Sequence, residues 1–273
     1  MRIASVTLAS LSALKTFSPS LTELTGHRVA RVGRHGKFLD LSTVEGLHLV
    51  WHLSRAGWVQ WREEVPATPV KPGKGPLALR LAFVTDDGEP GGGIDVTEAG
   101  TQKRLALYVV VDPSEVPGVA RLGPDALSEG LTEEAFAGIL QAAGRAQVKG
   151  VLRDQSTIAG IGNAYSDEIL HASGLSPFHP CNTLTSEDVS RLYRSIREQL
   201  TAAIANSVGH GTGTLKAEKK ASMAVHGRAG EPCPVCGDTV REVSFADSAL
   251  QYCPTCQTGG RLLADRRMSR LLK

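Results

Sequence analysis

Short apolar or alternating runs, separated by glycine, fill the first part of the chain. Positions 29–32, 37–41 and 47–53 have lengths and periods typical of β-strands. Similar runs follow at 58–61, 77–84 and 104–111, whereas the proline-rich stretch 66–75 and the glycines at 91–93 predict loops. Many short strands with regular turns predict an antiparallel β-sandwich or barrel over residues 1–112.

The hydrophobic period changes after Asp112. The segment 113–130 contains three prolines and is predicted to be a linker. Apolar positions at helical spacing then predict helices that begin near Thr132, at about 163–171 and at about 186–207, with Ser186 as the cap of the last one. We therefore predict a helical domain over 131–225 and an α+β chain of more than one domain.

Four cysteines near the end of the chain have the spacing of a zinc ribbon. Cys233 and Cys236 form one Cys-x-x-Cys pair, and Cys253 and Cys256 form the second. Two such pairs can close a tetrahedral thiolate site across a hairpin, with no open position for catalysis. A redox dithiol needs only one pair, and disulfides are disfavoured in a chain in which we expect no signal peptide. Cys181 has no partner motif and is predicted to be an ordinary helix-edge or loop residue.

The net charge of +2 does not by itself indicate a nucleic-acid partner, but the distribution of charge does. Basic residues near the two ends of the chain are Arg2, Lys15, Arg28, Arg31, Arg34, Lys37, Arg261, Arg266, Arg267, Arg270 and Lys273. Many acidic residues lie elsewhere, including Asp86, Asp87, Glu89, Asp95 and Glu98. Two basic ends on one face would bind phosphate, although either run taken alone is more typical of a solvated surface. No apolar run is long enough to predict a membrane span.

A glycine-rich turn lies between two helical stretches at 158–163. Gly160 and Gly162 permit positive φ and close approach of another molecule, and the N–H groups of the following helix can bind a phosphate. An ordinary turn is the alternative interpretation of a Gly-x-Gly sequence.

Several motifs together resemble the formamidopyrimidine-DNA glycosylase / endonuclease VIII family over nearly the whole chain. They are the residues 34–39 (RHGKFL), 52–57 (HLSRAG), 149–168 (KGVLRDQSTIAGIGNAYSDE), 225–233 (VHGRAGEPC) and 252–257 (YCPTCQ). The resemblance implies an N-terminal β-sandwich, a helix-two-turn-helix domain and a zinc finger over 226–273. It also implies one structural Zn²⁺ and a duplex DNA partner with a damaged base or an abasic site, from which the nucleotide is flipped.

The resemblance also implies roles for particular residues. Lys37 and Asn163 would bind phosphates, Lys149 would lie near the flipped nucleotide, and Glu168 would lie close to the site. Arg55 stands where the family has an intercalating Met, and Lys103-Arg104-Leu105 stands where it has Arg-Arg-Phe. Ser248 corresponds to the arginine of the family's zinc finger.

Each of these residues has a plainer interpretation. Lys37 and Lys149 are also typical of solvated charges, Glu168 of a helical ion pair and Arg55 of a surface residue. Trp51, Trp58 and Trp61 are predicted to be core and rim residues of the sandwich rather than base-stacking platforms.

The family begins with Pro-Glu, whose secondary amine attacks the damaged nucleoside, whereas this sequence starts Met1-Arg2-Ile3. Positions 2–10 match the family's first strand, so we expect that the Pro-Glu segment and the helix behind it are missing. Three explanations compete: a longer true start, a DNA-binding relic, or a lysine such as Lys149 or Lys37 with a depressed pKa as a substitute amine. We favour the first two, because a lysine would need a large shift and a new attack geometry.

Three functions follow in order of preference. The first is a base-excision repair glycosylase with AP lyase activity on oxidised bases or abasic sites. The second is a non-catalytic damaged-DNA-binding protein on the same scaffold, and the third is an unrelated RNA-binding zinc-ribbon protein. We expect a monomer that is located in a bacterial cytoplasm and associated with the nucleoid through its DNA partner.

Overall fold

Two four-stranded antiparallel sheets make up the first part of the chain. The computed structural model describes residues 1–68, 70–73, 75–208, 223–246 and 248–264. One sheet has the order β1 (Arg2–Leu8), β6 (Leu77–Val84), β7 (Pro90–Glu98) and β5 (Gly57–Arg62). The other has the order β2 (Val29–His35), β3 (Phe38–Thr43), β4 (His48–His52) and β8 (Ala106–Val110). This arrangement confirms the predicted sandwich.

The core of the sandwich is formed by alternate residues of its strands. Ile3, Leu49, Leu79, Leu81 and Leu107 are fully buried within one apolar cluster. Alternation places the intervening residues on the outer faces of the two sheets. Trp51 belongs to the same core, whereas Trp58 and Trp61 are partly exposed, which confirms the predicted division into core and rim.

The prediction of a loop at 91–93 was wrong, because these glycines lie inside β7. Gly92 has a φ of 78°, and a Cβ there would lie 2.6 Å from the Trp61 ring. A Cβ on Gly93 would lie only 2.4 Å from the Leu81 carbonyl oxygen. The glycines therefore allow close approach between strands rather than a turn.

Five helices were found in the described part of the second half. They are α1 (Glu133–Ala143), α2 (Val148–Arg153), α3 (Asn163–Ala172), α4 (Ser186–Ala205) and α5 (Pro254–Thr258). Phe136 and Leu140 of α1 pack with Ile169 of α3 and with Leu192 and Ile196 of α4 in one core. The cap of α4 is Thr185 rather than the predicted Ser186, because Thr185 and Asp188 form a reciprocal capping box.

A two-stranded hairpin of β9 (Arg241–Ser244) and β10 (Ala249–Tyr252) completes the described fold. The chain divides into two compact units, Met1–Arg121 and Leu122–Lys273, and the division falls inside the segment 113–130 that we predicted to be a linker. Part of that segment belongs to the first unit, because Val116 packs with Val50 and Val110. Among the described helices, none has both the length and the apolar character needed to cross a membrane.

Candidate nucleic-acid interface and zinc centre

The four cysteines of the two predicted pairs converge at the base of the hairpin. Cys233 and Cys236 precede β9, Cys253 follows β10, and Cys256 lies in α5. The Sγ atoms of Cys233 and Cys256 are 3.9 Å apart, and those of Cys236 and Cys253 are 3.3 Å apart. Zn–S bonds of about 2.3 Å in a tetrahedron require sulfur–sulfur separations of about 3.8 Å. The cluster therefore fits one structural zinc ion, as the spacing predicted.

The thiols of Cys253 and Cys256 must lose their protons when a cation binds at this position. Burial raises the pKa of Cys253 to about 11, and burial likewise raises the pKa of Cys256. These thiols are protonated at neutral pH unless a cation binds, so the loading of zinc must release protons. The fifth cysteine, Cys181, is buried in the helical core, away from the cluster.

Helix α3 directs four polar side chains toward the zinc finger. These residues, the polar face of α3, are Asn163, Asp167, Glu168 and His171. The spacing of four residues between Asn163, Asp167 and His171 places the three on one side of the helix. Each makes a hydrogen bond to residues between 224 and 251. The helix and the finger are therefore connected along the whole length of α3.

Asn163 begins α3, directly after the glycine-rich turn. Its Nδ2 donates to the Ala249 carbonyl oxygen of β10 over 2.8 Å, and its buried Oδ1 has no hydrogen-bond partner among the described residues. Of the two glycines in the turn, only Gly160 has a positive φ, at 104°, whereas Gly162 is extended. The turn and the hairpin are thus held together by a side chain that we had predicted to bind phosphate.

Lys149 lies in α2 and is buried, with 5% of its surface exposed. Its Nζ is 2.5 Å from Asp167 Oδ1 and donates to Ser166 Oγ over 2.7 Å. Burial lowers the pKa of Lys149, although the attraction of Asp167 opposes that effect. The second oxygen of Asp167 is 2.7 Å from His226 Nδ1, so the carboxylate connects α2, α3 and the start of the finger.

Glu168 is also buried, and its carboxylate accepts three backbone hydrogen bonds. The donors are the N–H groups of Ala224, Val225 and His226, at 2.7, 3.0 and 2.8 Å. A charged carboxylate that accepts several N–H bonds contributes more than neutral hydrogen bonds do. Glu168 therefore anchors the segment that leads into the zinc finger.

In the first unit, Lys37 and Arg55 lie on turns. Lys37 is in the β2–β3 turn. The pKa of His52 is lowered, first by burial and then by the positive charge of the Lys37 ammonium. Arg55 is exposed on the turn between β4 and β5. That turn requires Gly57, because a Cβ there would lie 2.2 Å from the Leu53 carbonyl oxygen.

The loop before β8 is positioned by Glu98. The buried Glu98 carboxylate accepts the backbone N–H groups of Arg104 and Leu105 over 2.7 and 3.0 Å, and Lys103 Nζ donates to the Glu98 carbonyl oxygen. Lys103 and Arg104 are exposed on this loop, whereas Leu105 is buried in the sandwich core. At the position of the family's Arg-Arg-Phe, the structure therefore presents two cations and no apolar side chain.

The basic ends are less segregated than their sequence suggests. Arg28 lies 3.1 Å and Arg2 lies 3.9 Å from Asp86, so two of the cations near the start are paired with an acid from the middle of the first unit. Arg266, Arg267, Arg270 and Lys273 lie outside the described residues, as do positions 209–222. Ser248, in the described part of the hairpin turn, accepts a hydrogen bond from Phe245 N through its carbonyl oxygen.

Three family models match consecutive parts of the chain. They are the formamidopyrimidine-DNA glycosylase N-terminal domain at residues 1–101, the formamidopyrimidine-DNA glycosylase H2TH domain at 122–215, and the zinc finger found in FPG and IleRS at 230–259. The formamidopyrimidine-DNA glycosylase of Thermus thermophilus is 35% identical over 246 residues, which cover 86% of this chain and 84% of that protein. The chain belongs to the formamidopyrimidine-DNA glycosylase family.

One further relative and two solved structures are also similar to this chain. An uncharacterized formamidopyrimidine-DNA glycosylase-like protein of Mycobacterium tuberculosis is 54% identical over 157 residues, 58% of this chain and 98% of that protein. The crystal structure of the MutM (FPG) protein from Thermus thermophilus has a TM-score of 0.73 at 31% identity and covers 94% of this chain and 91% of that one. The Lactococcus lactis enzyme bound to DNA with an AP site shares the fold, with a TM-score of 0.76 at 24% identity.

Within this family member, the structure adds residues that the sequence patterns did not single out. Asp167, His171 and His226 join the polar face of α3 to the finger, and Glu98 shapes the loop of Lys103. The spacing of four residues between Asn163, Asp167 and His171 was the available signal for Asp167 and His171. No sequence pattern pointed to the role of Glu98, because its carboxylate contacts backbone N–H groups, which every residue type has.

Proposed function

We propose that this protein binds duplex DNA containing an oxidised base or an abasic site, and that it acts there as a glycosylase with AP lyase activity. The observation that carries the proposal is the hydrogen bond from Asn163 to Ala249, which ties the glycine-rich turn to the hairpin. Both elements lie in segments that match the family's H2TH and zinc-finger models. Solved structures of Lactococcus lactis Fpg in complex with abasic-site DNA and with FAPY-dG DNA support the choice of partner.

The proposed roles in DNA binding rest on exposure and charge. Arg55, Lys103 and Arg104 are exposed cations on turns or loops of the sandwich, and Lys37 lies in the β2–β3 turn. Loops on a rigid scaffold are common positions for binding residues. We propose that Lys37 and Asn163 contact phosphates and that Arg55, Lys103 and Arg104 contact the duplex near the lesion, with the protein acting as a monomer.

A second function is favoured by the contacts of Lys149 and Glu168. A lysine nucleophile needs a free amine, whereas the Lys149 amine is buried in an ion pair with Asp167. The Glu168 carboxylate is likewise engaged by three backbone N–H groups. These contacts support structural roles for both residues, and they favour damaged-DNA binding without catalysis where a proline amine is not supplied.

Borohydride trapping separates the two functions. The zinc-loaded protein is incubated with duplexes that carry an abasic site or 8-oxoguanine, and binding is measured in parallel at low salt. The same experiment is repeated with a form that begins with Pro-Glu ahead of Arg2. A covalent adduct supports the enzyme, and binding of damaged duplex without an adduct supports the non-catalytic protein. Equal or tighter binding of single-stranded RNA, or no binding of any duplex, contradicts both.

A further inference from the structure

His171 lies beside the zinc ligands without being needed as one of them. It occupies the last turn of α3 and is buried, with 6% of its surface exposed. Its Nε2 is 3.3 Å from the Sγ of Cys233, a residue 62 positions further along the chain. His171, Cys233, Cys253 and Cys256 place their potential ligand atoms within 4.8 Å of one another. Two roles are compatible with this position, a ligand or a hydrogen-bond donor to a ligand.

The sulfur geometry favours the second role. The two measured sulfur–sulfur separations, 3.9 Å and 3.3 Å, bracket the value of about 3.8 Å that a tetrahedral zinc–thiolate site requires. Four thiolates complete the coordination of a structural zinc, so no position is left for an imidazole. His171 would then lie outside the coordination sphere, in contact with the sulfur of Cys233.

The direction of the hydrogen bond follows from the chemistry of the ligand. A zinc-bound thiolate carries no proton, so only the imidazole can donate. We propose that His171 is a positioning residue of the zinc centre, whose Nε2–H donates to the zinc-bound Sγ of Cys233 and joins α3 to the metal. The donor role requires a proton on Nε2 and is the same for the neutral ring and the imidazolium.

This hydrogen bond has an electrostatic and a mechanical consequence. Zinc with four thiolates carries a net charge of −2, and N–H donors to sulfur spread that charge. The backbone N–H groups of Val235 and Cys236 also hydrogen-bond to Cys233, and His171 adds a side-chain donor to these two backbone donors. Outer donors of this kind orient metal ligands and typically change metal affinity by about 10- to 100-fold.

Three variants test the donor role. His171→Phe keeps a ring but removes the N–H, and His171→Gln restores an N–H donor at a similar reach. His179→Phe is the matched control, because His179 is in the same unit but outside the cysteine cluster, and its Nε2 has no hydrogen-bond partner among the described residues. The readouts are the thiolate-to-cobalt charge-transfer band of the Co²⁺-loaded protein and the affinity for zinc in competition with a chelator.

Loss of the donor raises the energy of the sulfur lone pair. We therefore expect a red shift of the charge-transfer band and a loss of about tenfold or more in zinc affinity for His171→Phe, with near wild-type values for His171→Gln and His179→Phe. Wild-type values for His171→Phe would overturn the proposal. So would retention of the wild-type cobalt spectrum by Cys236→Ser, since His171 would then be a ligand in place of that cysteine.

A measurement on the wild-type protein avoids any loss of folding in the variants. In cadmium-loaded protein with an NMR-active isotope, a hydrogen bond to the bound sulfur transmits a small coupling from the metal to the His171 Hε2 proton. Detection of that coupling supports the proposal. Its absence, or a large direct coupling to the ring nitrogen, contradicts the proposal.

Discussion

Among the charged residues of this chain, some are exposed on turns and others are held in buried contacts. Arg55 and Arg104 belong to the first group, whereas Lys149, Glu168 and Asp95 belong to the second. Removing one member of a buried pair leaves an uncompensated charge, and that loss is far larger than the loss of an exposed ion pair. The environment of each residue, and not its chemical type, therefore decides what a substitution does.

Glu168→Gln is expected to loosen the zinc finger from α3. The substitution replaces a charged acceptor of three backbone N–H groups by a neutral amide, and we expect the free energy of unfolding of the second unit to fall by about 3 kcal/mol. Urea unfolding followed by far-UV circular dichroism measures this change. Glu187→Gln on the exposed first turn of α4 is the control, with an expected effect below about 0.5 kcal/mol. Equal effects of the two variants would contradict the anchoring role.

Asp95 makes the stability of the sandwich sensitive to acid. Burial raises its pKa, but hydrogen bonds from Arg80 and Arg62 outweigh burial, so the pKa of Asp95 lies below its ordinary value. A carboxylate with a depressed pKa stabilises the fold fully above the pKa of the unfolded chain, about 3.9, and that stability disappears as the pH falls through the folded pKa.

Asp95→Asn should therefore cost about 2 kcal/mol at neutral pH, a moderate value because Arg62 is partly solvated. Unfolding of wild type and variant at a series of pH values, followed by tryptophan fluorescence, measures both stabilities. We expect the difference to shrink below pH ~4. A difference that is independent of pH would show that the carboxylate charge is not the cause.

Lys37 tests the proposed contact with phosphate. Lys37→Ala should weaken binding to all duplexes by a similar factor and reduce the slope of log affinity against log salt by about one. Lys71→Ala, an exposed lysine of the loop before β6, is the control and should leave the slope unchanged. Binding measured at several salt concentrations gives both slopes, and identical slopes for the two variants would remove Lys37 from the interface.

At the level of elements, β7 and α3 depend most on contacts with other parts of the chain. Strand β7 lies between β6 and β5 and begins with a proline followed by three glycines. Glycine weakens a strand in isolation, but here the neighbouring strands approach too closely for a side chain. Helix α3 has buried polar residues at positions 166–168 and 171, whose partners come from Lys149 of α2 and from the segment of the finger.

Two glycine substitutions distinguish a glycine that close packing requires from a glycine that only lowers helix stability. Gly93→Ala should destabilise the sandwich by about 2 kcal/mol, because the Cβ would lie 2.4 Å from the Leu81 carbonyl oxygen. Gly138→Ala in α1 meets nothing within 4 Å and should stabilise the second unit by about 0.5–1 kcal/mol, through helix propensity. Thermal unfolding of both variants checks the opposite signs, and destabilisation by Gly138→Ala would contradict the description of that site as open.

For the whole molecule, the two units have separate cores and only one of them contains the zinc centre. All three tryptophans lie in the sandwich, whereas all the described α-helices lie in the second unit. Tryptophan fluorescence therefore reports on the first unit and far-UV helical signal on the second. Because a structural zinc contributes its binding free energy to folding, its removal should act on the second signal.

Zinc removal is expected to split the unfolding of the two units. After treatment with a strong chelator, the helical signal should be lost at a lower urea concentration. The free energy of unfolding measured by tryptophan fluorescence should change by less than about 0.5 kcal/mol. Cys236→Ser should reproduce the effect, and both treatments should weaken binding to duplex DNA. Full affinity for DNA after complete loss of the metal would contradict the role of the finger.

Local sequence patterns were sufficient for most of the sandwich strands, for α1, α3 and α4, and for the zinc centre, but not for β7, where they predicted a loop. Hydrophobic period and Cys-x-x-Cys spacing are properties of residues that are neighbours in the chain, so they can be recognised without a structure. Asn163, Lys149 and Glu168 were singled out by the family resemblance rather than by these patterns. The patterns could not show that Lys149 pairs with Asp167 or that Glu168 holds the segment at 224–226.

Contacts between distant residues supplied the rest. Position 93 must be a glycine because the Leu81 carbonyl oxygen of the neighbouring strand lies too close for a side chain. His171 contacts a cysteine that is 62 residues away in the chain, and Asn163 contacts a carbonyl oxygen that is 86 residues away. Whether a polar side chain is solvated or buried depends on the atoms that surround it, and those atoms come from elements far along the chain. Packing thus placed Lys149 and Glu168 in anchoring contacts, whereas the family resemblance had implied that they lie near the flipped nucleotide.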